Sequence, residues 1–143
     1  MHRLKVADLM SREVVTLEED ETLQLAETVM RHGRIRHLPV VKRGMLVGLV
    51  THRDILKAQV STLADLTPEE AADFKLAIPA KEIMSTDVRT VDPETPVLEA
   101  ARTLKANKFG CLPVVEKGRL VGILTEADFI DLVIRALEDQ ETS

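Results

Sequence analysis

The sequence predicts an α+β fold made of two β-α-β-β-α repeats related by a pseudo-twofold axis, and it does so through three observations. Leu38-Pro39-Val40-Val41 with Gly44, Leu46-Val47-Gly48, Thr51 and Asp54 returns 74 residues later as Leu112-Pro113-Val114-Val115 with Gly118, Leu120-Val121-Gly122, Thr125 and Asp128. Residues 6–57 align without a gap on 80–131 with 15 identities in 52 positions, 10 of them in the 17 positions from Leu38 to Asp54. In each copy an amphipathic helical stretch is followed by two apolar strand-like runs. A unit repeated at a fixed spacing usually cannot cover its own apolar face and packs against its copy.

The elements follow in order. Val6–Met10 is a short helical turn and Val14–Leu17 a short strand. Thr22–His32 is a helix with Leu23, Ala26, Val29 and Met30 on one face. His37–Val41 and Met45–Val50 are strands joined by Lys42-Arg43-Gly44, where glycine supplies a positive φ for a short hairpin. A helix begins near His52. The second copy repeats the order as Val88–Val91, Pro96–Asn107, Cys111–Val115, Arg119–Leu124 and Glu126–Leu137, with Thr95 as N-cap and Pro96 at the first helical position. Between the copies, Thr67-Pro68-Glu69-Glu70 reads as a capping box and Pro79 ends a short helix. Leu63, Leu66, Phe74, Leu76 and Ile78 of this stretch are expected to pack on the repeats or on a second subunit. The predicted organisation is a first repeat at 6–58, a partly helical linker at 59–79 and a second repeat at 80–138.

At 143 residues, 45% apolar and 30% charged, the chain suits one domain or two small ones that share a core, each half being marginal alone. The apolar runs fall short of a membrane span, and Met1-His2-Arg3-Leu4-Lys5 is not followed by the apolar stretch of a secretory signal, so a cytoplasmic location is expected. A single cysteine, Cys111, rules out an intrachain disulfide or a cysteine zinc site. A net charge of −5, with three Phe and no Trp or Tyr, argues against nucleic acid, which demands a basic face and often stacking rings. The four histidines lack metal-site spacing, and there is no phosphate-cradling glycine loop. No enzymatic activity is expected.

The polar residues kept in both copies, Thr51 with Asp54 and Thr125 with Asp128, follow an apolar strand where packing alone does not select a carboxylate. One account makes them a ligand site, because an ionised carboxylate is a pure acceptor and can take both hydroxyls of a cis-diol. The other makes them capping boxes, with each threonine as N-cap and each aspartate as its partner at the third helical position. The two are compatible. Gly48 and Gly122 inside strands indicate close approach by another backbone or by a ligand, and Pro39 and Pro113 suit a strand start or an edge.

Beyond these residues, the chain resembles a pair of cystathionine β-synthase (CBS) domains, a Bateman module. The family's short helix ending at Met-Ser, its Val-x-Thr strand, its apolar-Pro-Val-Val strand and its Val-Gly-apolar-apolar-Thr-x-x-Asp segment are met by Met10-Ser11, Val14-Val15-Thr16, Leu38–Val41 and Val47–Asp54. They are met again by Met84-Ser85, Val88-Arg89-Thr90, Leu112–Val115 and Val121–Asp128. The resemblance spans about 105 of the 143 residues. It implies repeats packed sheet to sheet, with clefts between them for AMP, ADP or ATP and S-adenosylmethionine as a further candidate, in a regulatory homodimer that signals to an unidentified protein and requires no cofactor. It assigns Asp54 and Asp128 to the ribose hydroxyls, Thr51 and Thr125 to ribose or phosphate, and Val14, Thr16, Val88 and Thr90 to the adenine. For the valines, simple in-and-out strand alternation is an equal account.

The two sites differ in charge. Arg34, Arg36, His37, His52 and Arg53 of the first correspond to Lys108, Gly110, Cys111, Glu126 and Ala127 of the second. Arg36, His37 and Arg53 are therefore the expected phosphate contacts, guanidinium binding phosphate bidentately, although Arg31–Arg34 also suits a solvated helix end. Glu126 beside Asp128 favours a neutral or cationic ligand in the second site. The alternative to a nucleotide sensor is a dimerisation or interaction module that needs no ligand, with Phe129, Ile130, Val133 and Ile134 of the last helix covering a partner.

Overall fold

The computed structural model describes residues 3–63, 65–107 and 110–142, giving the backbone alone at 60–63. Its elements are α1 (Val6–Leu9), β1 (Leu17–Glu18), α2 (Leu23–Gly33), β2 (His37–Lys42), β3 (Met45–Thr51), α3 (His52–Leu63), α4 (Pro68–Ala77), α5 (Ala80–Ile83), α6 (Val97–Ala106), β4 (Cys111–Glu116), β5 (Arg119–Thr125) and α7 (Glu126–Thr142). The α+β class and the doubled order match the sequence expectation. Between the repeats α4 ends at Ala77 with Ile78 as its C-cap, and Pro79 is the N-cap of α5; the last helix runs five residues beyond Leu137.

The chain divides into two compact units. One comprises Val15–Val88, the other Met1–Val14 with Arg89–Ser143. Each unit thus holds the strands of one repeat and the short first helix of the other. In the Val15–Val88 unit, α5 is clamped by Leu23 N–H to Ile78 O (3.0 Å), Ala80 N–H to Glu21 O (2.7 Å) and Lys81 N–H to Glu19 O (3.0 Å). In the other unit α1 is held the same way, by Val97 N–H to Leu4 O, Val6 N–H to Thr95 O and Ala7 N–H to Pro93 O, all at 2.9 Å. Donors and acceptors correspond one for one at a displacement of 74 residues.

These short helices explain the strand glycines. A Cβ on Gly48 would stand 2.8 Å from Met84 Cγ and 2.9 Å from the Ser85 carbonyl, and a Cβ on Gly122 would stand 3.0 Å from Met10 Cγ and 2.9 Å from the Ser11 carbonyl. The close approach is made by the protein's own Met-Ser segments, which pair with the strands through Leu49 N–H to Ser85 O (2.9 Å), Ser85 N–H to Leu49 O (2.8 Å) and the matching Ser11–Ile123 pair (2.9 Å each).

Both long hairpins are two-residue loops. Lys42 pairs with Met45 and Glu116 with Arg119, leaving Arg43-Gly44 (φ 54° and 83°) and Lys117-Gly118 (φ 53° and 81°) with both central residues left-handed. That is the type I′ geometry whose twist matches the flanking strands.

Two expectations about strands and caps are corrected. The strands placed at Val14–Leu17 and Val88–Val91 shrink to Leu17–Glu18 and to a bridge at Val91. Val91 donates to Pro113 O (3.1 Å) and accepts from Val115 N–H (2.9 Å). In a parallel ladder the next donor back would be the N–H of Pro113, which does not exist. Pro39 ends the Leu17↔Val40 pairing for the same reason. Both prolines are buried and interrupt one ladder: Pro113 lies in β4, an edge strand of the sheet, as an edge was expected, whereas Pro39 lies inside β2, between β1 and β3. The N-cap of α6 is Pro96, without a side-chain cap bond, because Thr95 Oγ1 is already used by the Asp92 N–H (3.1 Å).

Each unit has its own core. Leu17, Leu23, Ala26, Met30, Leu38, Val40, Val50, Ile55 and Ala80 form one, with Phe74 and Ile78 of the linker packed on it. Val6, Met10, Val91, Ala100, Leu104, Leu112, Val114 and Leu124 form the other, with Phe129 packed on it. Burying one such Leu contributes roughly 1.5–3 kcal/mol. Leu76 of the linker is 54% exposed in the single chain, so it does not pack on the repeats. Leu63 is outside the residues with described side chains. No helix among the described residues is long and apolar enough to cross a membrane.

Candidate functional site

Each unit places its Thr-x-x-Asp where the last strand turns into a helix. Thr51 ends β3 and caps α3. Asp54 Oδ2 accepts the Thr51 N–H at 2.8 Å and the Thr51 hydroxyl at 3.0 Å, while Thr51 Oγ1 accepts the Asp54 N–H at 3.2 Å. This is the capping box that the residues alone allowed. It engages one carboxylate oxygen. Oδ1 accepts no hydrogen bond among the described residues, so the box does not exhaust Asp54 as an acceptor. Thr51 is 7% exposed and Asp54 half-buried.

The second box is looser. Asp128 Oδ2 accepts the Thr125 N–H at 2.8 Å, but the Thr125 hydroxyl is 3.4 Å away, and the return bond from the Asp128 N–H is absent among the described residues. Glu126 and Ala127 between them are exposed.

The basic residues grouped around the first site are divided by strand register. His37 lies opposite Thr51 and Leu38 opposite Val50, and beyond the ladder the His52 N–H bonds Arg36 O at 2.9 Å. Cross-strand partners share a face and neighbours alternate. Arg36 and His52 therefore lie on the side of Leu38 and Val50, toward α2 and α3, whereas His37 shares the opposite face with Thr51. Arg36, with Arg34 and His52, lines a cavity of about 410 Å³ between α2 and α3. Arg53 is exposed on the first turn of α3 and is not part of that cavity.

The expected adenine contacts are placed as follows. Val14 and Thr90 belong to one unit, Thr16 and Val88 to the other. Val14, Thr16 and Val88 are half-buried, and Thr90 is exposed beside Arg89 and Lys117 in a groove of its unit. Lys108, the counterpart of Arg34, is outside the described residues. Cys111 is fully buried, and burial pushes its thiol pKa up to about 12, which makes it an unreactive core residue.

Glu27 belongs to the cavity between α2 and α3, although nothing in the sequence singles it out as a cavity residue. Its carboxylate, on the cavity wall, takes Gln59 Nε2 at 2.9 Å and pairs with Lys75 at 3.2 Å and Arg31 at 3.4 Å. The i, i+4 spacing to Arg31 was a legible signal, but the partners 32 and 48 residues away were not. No group of three His, Cys, Asp or Glu side chains suited to a metal ion occurs among the described residues.

A duplicated β-α-β-β-α chain with a Thr-x-x-Asp box at the head of the last helix of each copy defines a tandem-repeat module. The CBS domain family model matches residues 6–61 and 80–135, and the chain belongs to that family as a pair of its domains. A CBS domain-containing protein of Dictyostelium discoideum is 34% identical over 138 residues, covering 95% of either chain. A solved structure from Vibrio cholerae, provisionally named acetoin utilization protein AcuB, is 40% identical with a TM-score of 0.82, covering 99% of this chain and 98% of that one. The CBS domain pair of protein MJ0100, solved in complex with 5′-methylthioadenosine and S-adenosyl-L-methionine, is 29% identical with a TM-score of 0.74, covering 92% and 97%.

Proposed function

We propose that this chain is a non-catalytic regulatory module that binds an adenosyl ligand at its Thr-x-x-Asp boxes and passes the bound state to a partner protein. The observation that carries this is the likeness, over nearly the whole length of both chains, to the MJ0100 pair in complex with two adenosyl compounds. The chemistry agrees. Asp54 keeps Oδ1 for a ribose hydroxyl while Oδ2 caps α3, and a carboxylate is the natural acceptor for a cis-diol. Arg53 beside Asp54 supplies positive charge, and His37 on the Thr51 face an imidazole, for AMP, ADP or ATP at the first box. Glu126 at the second favours a neutral or cationic ligand such as S-adenosylmethionine. Val14, Thr16, Val88 and Thr90 remain the proposed adenine contacts. The module acts by differential affinity of the ligand for two arrangements of the protein, in the cytoplasm and as a homodimer, with nucleic acid and membranes excluded as partners.

One observation favours a second reading. Ile130, Val133, Ile134 and Leu137 follow helical spacing on α7 and are between 46% and 59% exposed, which suits a ligand-independent interaction module. Phe129, grouped with them from sequence, packs in its own core instead.

Isothermal titration of the nucleotide-stripped protein with AMP, ADP, ATP and S-adenosylmethionine separates the two. Asp54→Asn and Asp128→Asn are the informative variants, because asparagine still caps a helix but removes the charge that holds the diol. Loss of binding in either variant, with an unchanged melting temperature, supports the sensor. Folded wild type that gives no heat with any of the four ligands refutes it and leaves the interaction module.

A further inference from the structure

The cavity between α2 and α3 has a composition that the fold does not require. At about 410 Å³ it falls in the size range of small-molecule sites, roughly 300–1,000 Å³. Its apolar wall is Met30 and Ile55, both at most 5% exposed, with Leu56 at the mouth, 47% exposed. Its one carboxylate, Glu27, is already satisfied by Lys75, Arg31 and Gln59. Arg34 and Arg36 form no ion pair among the described residues, and both have fixed backbones. Arg34 is the left-handed cap of α2, with its N–H on Met30 O, and Arg36 is tied through its carbonyl to His52. Two solvent-exposed guanidinium groups and an imidazole thus stand at the rim of a pocket of mixed polar and apolar lining, whose one carboxylate is engaged elsewhere.

The duplicate repeat has the same element order with most of these side chains replaced, keeping a basic residue only where Lys108 stands for Arg34. Ala101 stands for Glu27, Gly110 for Arg36, Glu126 for His52 and Val133 for Gln59. The register of β2 and β3 also sets this cavity on the side of the ladder opposite the Thr51 side chain.

We propose that the cavity is a second ligand site, taking a small organic anion whose phosphate or carboxylate lies on Arg34, Arg36 and His52 and whose compact apolar body lies on Met30, Ile55 and Leu56. Guanidinium groups match both oxyanions bidentately. The site goes beyond the adenosyl reading and does not depend on it.

The test is a ¹⁵N-NMR titration of the full chain with phenyl phosphate, benzoate and uncharged benzyl alcohol. Phenyl phosphate or benzoate is expected to shift the amides of Ile35, Arg36, His52 and Leu56 and the side-chain amide of Gln59, and whichever binds tighter identifies the headgroup. Arg36→Glu should weaken binding about tenfold or more, as loss of a charge-assisted hydrogen bond does. Arg43→Glu, the same charge change on the hairpin, should not. Asp54→Asn should retain the phenyl phosphate response whether or not it binds adenosyl ligands, so each reading can fail alone. Shifts centred on Thr51 and Asp54, equal binding of benzyl alcohol, indifference to Arg36→Glu, or no shift with either anion would each overturn the proposal.

Discussion

Replacing Gly48 by alanine adds one methyl group to a position that has no room for it. The new Cβ would lie 2.8 Å from Met84 Cγ and 2.9 Å from the Ser85 carbonyl. Met84 can rotate away, but the carbonyl cannot. Ser85 is held by Leu49 through two backbone hydrogen bonds of 2.9 and 2.8 Å, so relief requires stretching both or displacing β3 from β2. Overpacking of this kind costs about 1–3 kcal/mol, and each weakened backbone bond adds about 0.5–1.5 kcal/mol. A loss of about 2–6 kcal/mol follows from those terms when both bonds are weakened. A chain of 143 residues loses about 3 °C in Tm per kcal/mol, so the fall should be roughly 6–18 °C. Circular-dichroism melts and urea titrations measure it. Gly48→Ala/Met84→Ala, compared with Met84→Ala alone, should recover only part of the loss, since the Ser85 carbonyl remains. A Gly48→Ala protein within about 0.5 kcal/mol of wild type, the scatter of an ordinary surface change, would refute the packing of α5 on β3 described here, as would full recovery in the double variant.

The remaining predictions concern the capping boxes and the buried thiol. Asp54→Ala removes a box with bonds in both directions and should cost about 1–2 kcal/mol, against about 0.5–1 kcal/mol for Asp128→Ala, whose box is looser; urea denaturation of both variants ranks them, and the reverse order would contradict the hydrogen-bond distances. Cys111 should resist iodoacetamide at pH 8 in the folded protein and react promptly in urea. Burial pushes its pKa in the folded protein up to about 12, above the ordinary thiol value near 9, so burial of the neutral thiol contributes stability that is complete below about pH 9 and is lost as pH rises from about 9 to about 12. Urea titrations across that range should show a decline that Cys111→Ala reduces.

Much of the molecule is legible in the chain because it is local. The duplication is read by direct comparison of the two halves, while the Thr67–Glu70 capping box, the glycine hairpins and both Thr-x-x-Asp boxes depend on residues no more than four apart, where steric and hydrogen-bonding rules leave few alternatives. The amphipathic faces of α2 and the apolar strands follow from periodicity for the same reason. The sequence also indicated that something approaches Gly48 and Gly122.

What approaches them was a matter for the tertiary structure, because contacts between residues far apart in the chain leave no local trace. Nothing in Met84-Ser85 shows that it serves the strands of the preceding repeat, or that α1 serves those of the following one. The short strands contracted because a ladder needs donors from both members, and Pro39 and Pro113 withhold theirs from a segment more than 20 residues away. Arg36 and His37 are adjacent in sequence and equally basic to inspection. Pairing with β3 sets them on opposite faces of the ladder, since side chains alternate along a strand, and so divides one expected cluster between the Thr51 face and the cavity beneath α2 and α3.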